Sequence, residues 1–336
     1  MGFRISTTID WHGPLDRKRL FEDARAADEG GVHSVWVTEA WGYDAFTLMT
    51  LLAEWTERIQ IGSGIVNVYS RSPGALAQHF ATLDALSEGR MIIGLGTSGS
   101  NVIEHFHGVP FDRPLRRLLE YVEIINELIS GRPLNYSGGI FKLQRGFKLR
   151  FDPVRSQIPI FIAALSPASV TQTAEIAQGW LPVWVPASDL PDFIGSFREA
   201  VARSGRSGRS VAGVTIRSPG TVIVASELES IRAQARAAFA FYVARMGDVY
   251  YQHFRRLGHE DVANAVRQAW SAGGSKAGAA AVPQDLADEM TLVTDSIEQA
   301  RERLAIQQAA GVDIHAVEVH AESALERQRI YEALAT

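Results

Sequence analysis

The chain has 336 residues, 46% hydrophobic and 21% charged, with a formal net charge of −5 and no cysteine. Disulfides, thiolate zinc sites and cysteine nucleophiles are thereby excluded, and the mild acidity gives no reason to expect binding to nucleic acid or an anionic membrane. No apolar run approaches the ~20 residues needed to span a bilayer. The N-terminus passes into a strand pattern without the charged head and apolar stretch of a signal peptide, so a cytoplasmic location is expected.

The hydrophobic period alternates along the chain between that of a strand and that of a helix. Strands are predicted over Phe3–Ile9, Val32–Thr38, Ile59–Val68, Arg90–Leu95, Ile158–Ala164, Trp180–Val185, Thr221–Ala225 and His315–His320. Helices are predicted over Asp16–Glu29, Phe46–Thr56, Ala75–Leu86, Leu115–Ile129, Ala168–Gln178, Asp189–Ser204, Ser230–Val243 and Ser296–Ala310. Such alternation implies a parallel sheet buried on both faces. About eight units closes a barrel, whereas an open doubly wound sheet usually has about six strands. The expected fold is a single α/β domain over 1–336, a (β/α)8 TIM barrel with a hairpin insertion at about 135–157 and a helical insertion at about 242–283. The second insertion is rich in Tyr, Arg and His and is expected to cover the barrel mouth.

Gly94-Leu95-Gly96-Thr97-Ser98-Gly99 is a literal G-x-G-x-x-G after a strand. A dinucleotide fingerprint also needs a helix at once and an acid about 20 residues on, at the tip of the next strand. The sequence after Gly99 shows neither. A loop at the mouth of a barrel explains the glycines as well, because they let backbone approach a flat ring or an anion closely. Thr97, Ser98 and Asn101 would add small hydrogen-bonding groups there.

Glu39 falls just past the second strand, where barrel enzymes concentrate catalytic groups. It is read as an active-site acid that hydrogen-bonds a ring or donates a proton; its structural alternative is to cap the next loop. Glu104, His107 and, after the first strand, His12 are the other proton-handling candidates. Trp41 and Tyr43 are candidates to flank a ring, and Asp44 is read as a helix cap. Arg71 holds a phosphate or caps a loop. Glu104, His105 and His107 suggest zinc, but no later His–Asp set completes a site, so no metal is expected. Ser98 lacks the G-x-S-x-G elbow of a hydrolase.

Val35–Phe46, Ile61–Pro73, Leu83–Arg90 with the glycine loop, and Ile160–Pro167 with Ala174–Trp180 together resemble the bacterial luciferase-like superfamily. Within it they look most like the branch using coenzyme F420, an 8-hydroxy-5-deazaflavin, which includes methylenetetrahydromethanopterin reductase. The resemblance implies a dimeric (β/α)8 oxidoreductase that moves a hydride between deazaflavin C5 and a small organic substrate, with a separate F420 or flavin reductase recycling the cofactor. It implies a non-prolyl cis peptide at Gly64-Ile65, so that Gly64, Ile65 and Val66 back the ring. It also implies a phosphate held by Ala163, Ala164, Leu165 and Ser166. An FMN-dependent two-component monooxygenase is the alternative. Ser100, His105 and Phe106 stand where the branch has Pro, Gly and Trp, so the substrate side of the site is expected to differ.

Overall fold

The computed structural model describes residues 2–9, 13–204 and 213–336. β1 (Ile5–Ile9), β2 (Ser34–Val37) and β3 (Gln60–Ser63) are separated by α1 (Arg17–Glu29) and α2 (Ala45–Trp55). Asp16 and Asp44 start the two helices by accepting first-turn N–H bonds. Next come β4 (Val66–Asn67), α3 (Pro73–Leu86), β5 (Met91–Gly96), α4 (Ser100–His105) and α5 (Pro114–Ile129). A hairpin, β6 (Leu134–Ser137) and β7 (Lys142–Phe147), leads to β8 (Ile160–Ile162), α6 (Pro167–Ile176), β9 (Gly179–Trp180) and α7 (Leu190–Arg203). The chain then forms β10 (Thr215–Ala225), α8 (Leu228–Arg245), α9 (Asp248–Arg256), α10 (Glu260–Ala280) and α11 (Gln284–Met290). It ends with β11 (Thr291–Thr294), α12 (Ile297–Ala309), β12 (Ile314–His320) and α13 (Ala324–Ala335).

The parallel order β12-β1-β2-β3-β5-β8-β9 is closed by β10, which pairs with both β9 and β12. This is the expected eight-stranded barrel. Val35, Val37, Ile61, Ile93, Ile160 and Ile162 face the helices in the main core. Trp36, Ile92, Phe161, Leu181 and Ile314 fill the lumen. Small residues make room for the lumen's two large rings: a Cβ on Gly62 would lie 2.7 Å from the Trp36 ring, and one on Gly179 2.4 Å from Phe161.

Three expectations are corrected. β11, only Thr-Leu-Val-Thr, was not anticipated; it pairs with the second half of β10 after a register shift between Arg217 and Thr221. The sixth barrel strand stops at Trp180 instead of Val185, because Pro182 and Pro186 lack the N–H that a ladder needs. A six-residue helix does open at Ser100, with Gly99 as its N-cap. It is too short and polar to show a period.

Both insertions form. Glu120 of α5, fully buried, holds the hairpin turn by accepting from the N–H groups of Gly139 (2.6 Å) and Phe141 (2.9 Å). The helical insertion carries its own apolar cluster around Phe239, Val243, Phe254 and Val266. Arg256 of α9 donates to the carbonyl of Leu165 (3.3 Å), His253 bonds that of Trp184 (3.1 Å), and Phe241 of α8 lies 6.4 Å from the Trp41 ring. A Cβ on Gly99 would lie 3.5 Å from the carbonyl oxygen of Met246. The insertion thus touches the loops after β2, β5, β8 and β9, all at the C-terminal mouth.

Candidate active site

The glycine loop owes its first two glycines to the barrel wall. A Cβ on Gly94 would lie 1.6 Å from the Ser63 carbonyl oxygen, and Gly94 exchanges hydrogen bonds with the Ser63 hydroxyl at 2.8 and 2.9 Å. A Cβ on Gly96 would lie 3.0 Å from Ile65 Cδ1 and 3.5 Å from Ala163 Cβ. The peptide between Gly64 and Ile65 is cis. The G-x-G spacing is therefore the imprint of the Ser63–Ile65 bulge on the neighbouring strand, which answers the dinucleotide reading. The half-buried Ile65 side chain forms a shelf with Ala163 beside it. Val66, by contrast, is fully buried in the outer core and offers its side chain to no ligand.

Ser98 adopts φ 57° and Trp184 φ 58°, the left-handed region that non-glycine residues rarely visit. Both stand at the mouth, where such backbone commonly marks a functional site. Thr97 donates to the Ser98 carbonyl at 3.3 Å, and Asn101 is exposed on α4. After the neighbouring strand, β8, Ser166 caps α6 in a reciprocal box with Ser169. The box engages both the N–H groups and the hydroxyls of the two serines, Ser169 Oγ donating to the Ser166 carbonyl at 2.9 Å, so what remains for an anion is the positive end of the helix dipole. Ala164 is buried and its carbonyl accepts from Trp180 Nε1 (2.9 Å). Arg256, over Leu165, has no carboxylate partner among the described residues.

Glu39 is clamped. Both its oxygens accept from Arg71, at 2.7 and 3.0 Å, and it also accepts from the Ala45 N–H at 3.0 Å; its side chain is 8% exposed. Held this way, both carboxylate oxygens are already engaged as acceptors. The expectation that Glu39 donates a proton gives way to that of a fixed acceptor. Arg71 also pairs with Asp44 and stacks 4.8 Å over Phe46, so its charge is spent inside the protein instead of on a phosphate. Asp44 caps α2 as expected, accepting from the Thr47 N–H at 2.7 Å.

His107 is half-buried, with Nε2 3.2 Å from Asn67 Nδ2; desolvation holds its pKa below the usual histidine value, with Glu39 pulling up and Arg71 down. Glu104 departs from it: the side chain is exposed and accepts from the Phe111 N–H at 3.2 Å, bracing α4. His105 is exposed too, and no group of metal-ligating side chains forms among the described residues. His12 lies outside the described residues. Trp41 is 39% exposed beside Phe241, and Tyr43 donates to the Gly13 carbonyl at 2.6 Å.

Sequence reasoning passed over Arg217, Glu318 and His320. Arg217 points into the lumen from β10, donating from Nε to Ser6 Oγ (3.1 Å) and from Nη2 to Thr8 Oγ1 (2.9 Å), with Cζ 5.5 Å over the Trp36 ring. The signal was an arginine four residues before an apolar strand run, hidden by the intervening Pro219-Gly220. Glu318 and His320 lie on the inward phase of β12, 3.7 Å apart.

A closed parallel barrel with a shelf, a capped helix start and fixed polar groups gathered at its C-terminal mouth is the build of a (β/α)8-barrel enzyme. The chain belongs to the luciferase-like monooxygenase family, which it matches over residues 3–313. A Mycobacterium tuberculosis protein assigned as a coenzyme F420-dependent oxidoreductase is 29% identical over 94% of this chain and 95% of its own. The 5,10-methylenetetrahydromethanopterin reductase of Archaeoglobus fulgidus is 31% identical over 79% of this chain and 78% of its own. Among solved structures, the coenzyme F420-dependent tetrahydromethanopterin reductase of Methanopyrus kandleri superposes with a TM-score of 0.81 at 20% identity, covering 100% of this chain and 98% of that one.

Proposed function

We propose that this chain is a coenzyme F420-dependent oxidoreductase that moves a hydride between the deazaflavin and a small organic substrate. A relative carrying that cofactor in its name covers 94% of this chain and 95% of its own. The observation that carries the reading is the Ile65 shelf, with the β5 backbone cleared of side chain beneath it at Gly96. A flat ring needs such a surface on one face and open space on the other. The acidic tail is matched by the positive end of the α6 dipole and by the Arg256 guanidinium beside it, on the Leu165 carbonyl.

When bound, coenzyme F420 gives or takes a hydride at C5 of its ring. The residues of this chain position and shield. Ile65 backs the ring. Trp41 and Phe241 close the mouth between the barrel and the insertion and keep water out. Glu39, fixed by Arg71, presents an acceptor that cannot swing away. His107 stays neutral at neutral pH and is placed to take or return the proton that accompanies the hydride. Alignment of ring and substrate within about 3–3.5 Å supplies most of the rate.

Fluorescence titrations of the purified protein with coenzyme F420 and with FMN test this. Tight binding of the deazaflavin and weak binding of FMN are expected. The reverse would overturn the proposal and direct the search to oxygen consumption with reduced FMN.

A further inference from the structure

Arg217 is a cation in an unusual place. It sits inside the barrel on an element whose other inward neighbours are apolar or neutral, and no carboxylate comes within ion-pair distance of it among the described residues. Burial pulls its pKa down to about 10, partly offset by the field of Glu318. It therefore keeps its charge at neutral pH, and holding a bare charge out of water is costly. A guanidinium has five N–H donors. Nε and Nη2 bond the Ser6 and Thr8 hydroxyls, whereas Nη1 makes no bond among the described residues. Ser6 below it is fully buried, while Thr8 and Arg217 retain accessible surface, so the free donors face the mouth.

The surroundings indicate what those donors meet. The Trp36 ring lies under the guanidinium, its centroid 5.5 Å from Cζ, and Phe161 and Ile65 continue the apolar lining towards the shelf. Trp184 and Tyr242, 5.5 Å apart, extend an aromatic wall under the insertion. A ligand reaching Arg217 from the mouth passes this aromatic wall on one side and Glu318 and His320, on the inward phase of β12, on the other.

We propose that the lumen beneath the mouth is the substrate's anchoring site, where Arg217 binds a negatively polarised oxygen on a small apolar or aromatic molecule. The oxygen belongs to a carboxylate or a carbonyl, the two groups a guanidinium fork recognises by the same donated hydrogen bonds. The inference deepens the hydride-transfer reading, which it takes as its frame, by naming the part of the substrate that is held. Glu318, open to the mouth, tempers the charge of the site and opposes a second anion.

Calorimetric titration with benzoate and with acetophenone tests it, on protein with and without bound F420. Wild type should bind at least one probe. Arg217→Met should weaken that binding about tenfold, and Arg217→Lys should restore part of it. Glu318→Gln should tighten benzoate about threefold by removing a repelling charge, an outcome that damage to the fold would not produce. Loss of benzoate alone assigns the site to carboxylates, and loss of acetophenone alone to ketones. Wild type that binds neither probe, or Arg217→Met that binds both as wild type does, overturns the proposal. So does an Arg217→Met variant that loses F420 affinity while keeping the probes, because Arg217 would then serve the cofactor. Failure of F420 to bind any of these proteins would instead count against the hydride-transfer reading, since the probes are titrated without it as well.

Discussion

Arg71 and Arg217 both stand near the mouth of the barrel, and among the described residues only the first meets a carboxylate. Arg71 meets Glu39 through two bonds and Asp44 through a third, and Phe46 covers its face. Arg217 meets two hydroxyls and, among the described residues, keeps donors to spare. The side of the mouth formed by β2 and the β4–α3 connection is thus a finished piece of scaffold, and the side formed by β10 and β12 is left for a ligand to finish. The difference teaches that an arginine's duty is read from the groups that answer it, and that position at the mouth alone does not decide.

Acidification should give the largest effect, because it tests a third way of handling a base: burial without any charge. His33, His253 and His315 are each pushed down to about 4, chiefly by desolvation. Unfolded, they take up protons near pH 6.5; folded, not until about 4. Stability is therefore full above pH 6.5 and lost as pH falls towards 4, by up to about 1.4 kcal/mol per pH unit for each histidine. Urea melts at stepped pH should show that slope, and His315→Gln should reduce it by about one proton.

Glu39→Ala tests the clamp. It leaves Arg71 half-answered and should cost about 3 kcal/mol in urea denaturation. Arg217→Met should cost under about 1 kcal/mol in the same assay, since it removes a charge that the fold does not pair. Equal losses from the two would erase the contrast. Arg256 stands between them, exposed and bonding, among the described residues, the Leu165 carbonyl alone. Arg256→Ala should leave stability unchanged and weaken F420 binding about fivefold, the worth of one exposed charge-assisted contact.

The barrel was legible because its strands are short apolar runs such as Val35–Val37 and Ile160–Ile162, separated by segments of helical period, one of them with a readable cap at Asp44. β11 and α4 were not: four and six residues are too few to show a period. Within the site, Glu39, His107 and the glycine loop could be singled out from residue type and position. The Glu39–Arg71 pair could not, because it joins residues 32 apart in sequence. The purpose of Gly94 and Gly96 was hidden for the same reason: the atoms that forbid a side chain there belong to the neighbouring strand. Arg217 was lost when the strand was begun at Thr221, after the register shift that the sequence does not display.

The most direct test of the cofactor site is the affinity of Ile65→Ala for coenzyme F420, measured by fluorescence quenching beside wild type. Loss of the shelf should weaken binding about tenfold, the worth of the apolar contact removed, with the urea midpoint little changed. Affinity equal to that of wild type would contradict the account, because the ring would then rest somewhere else.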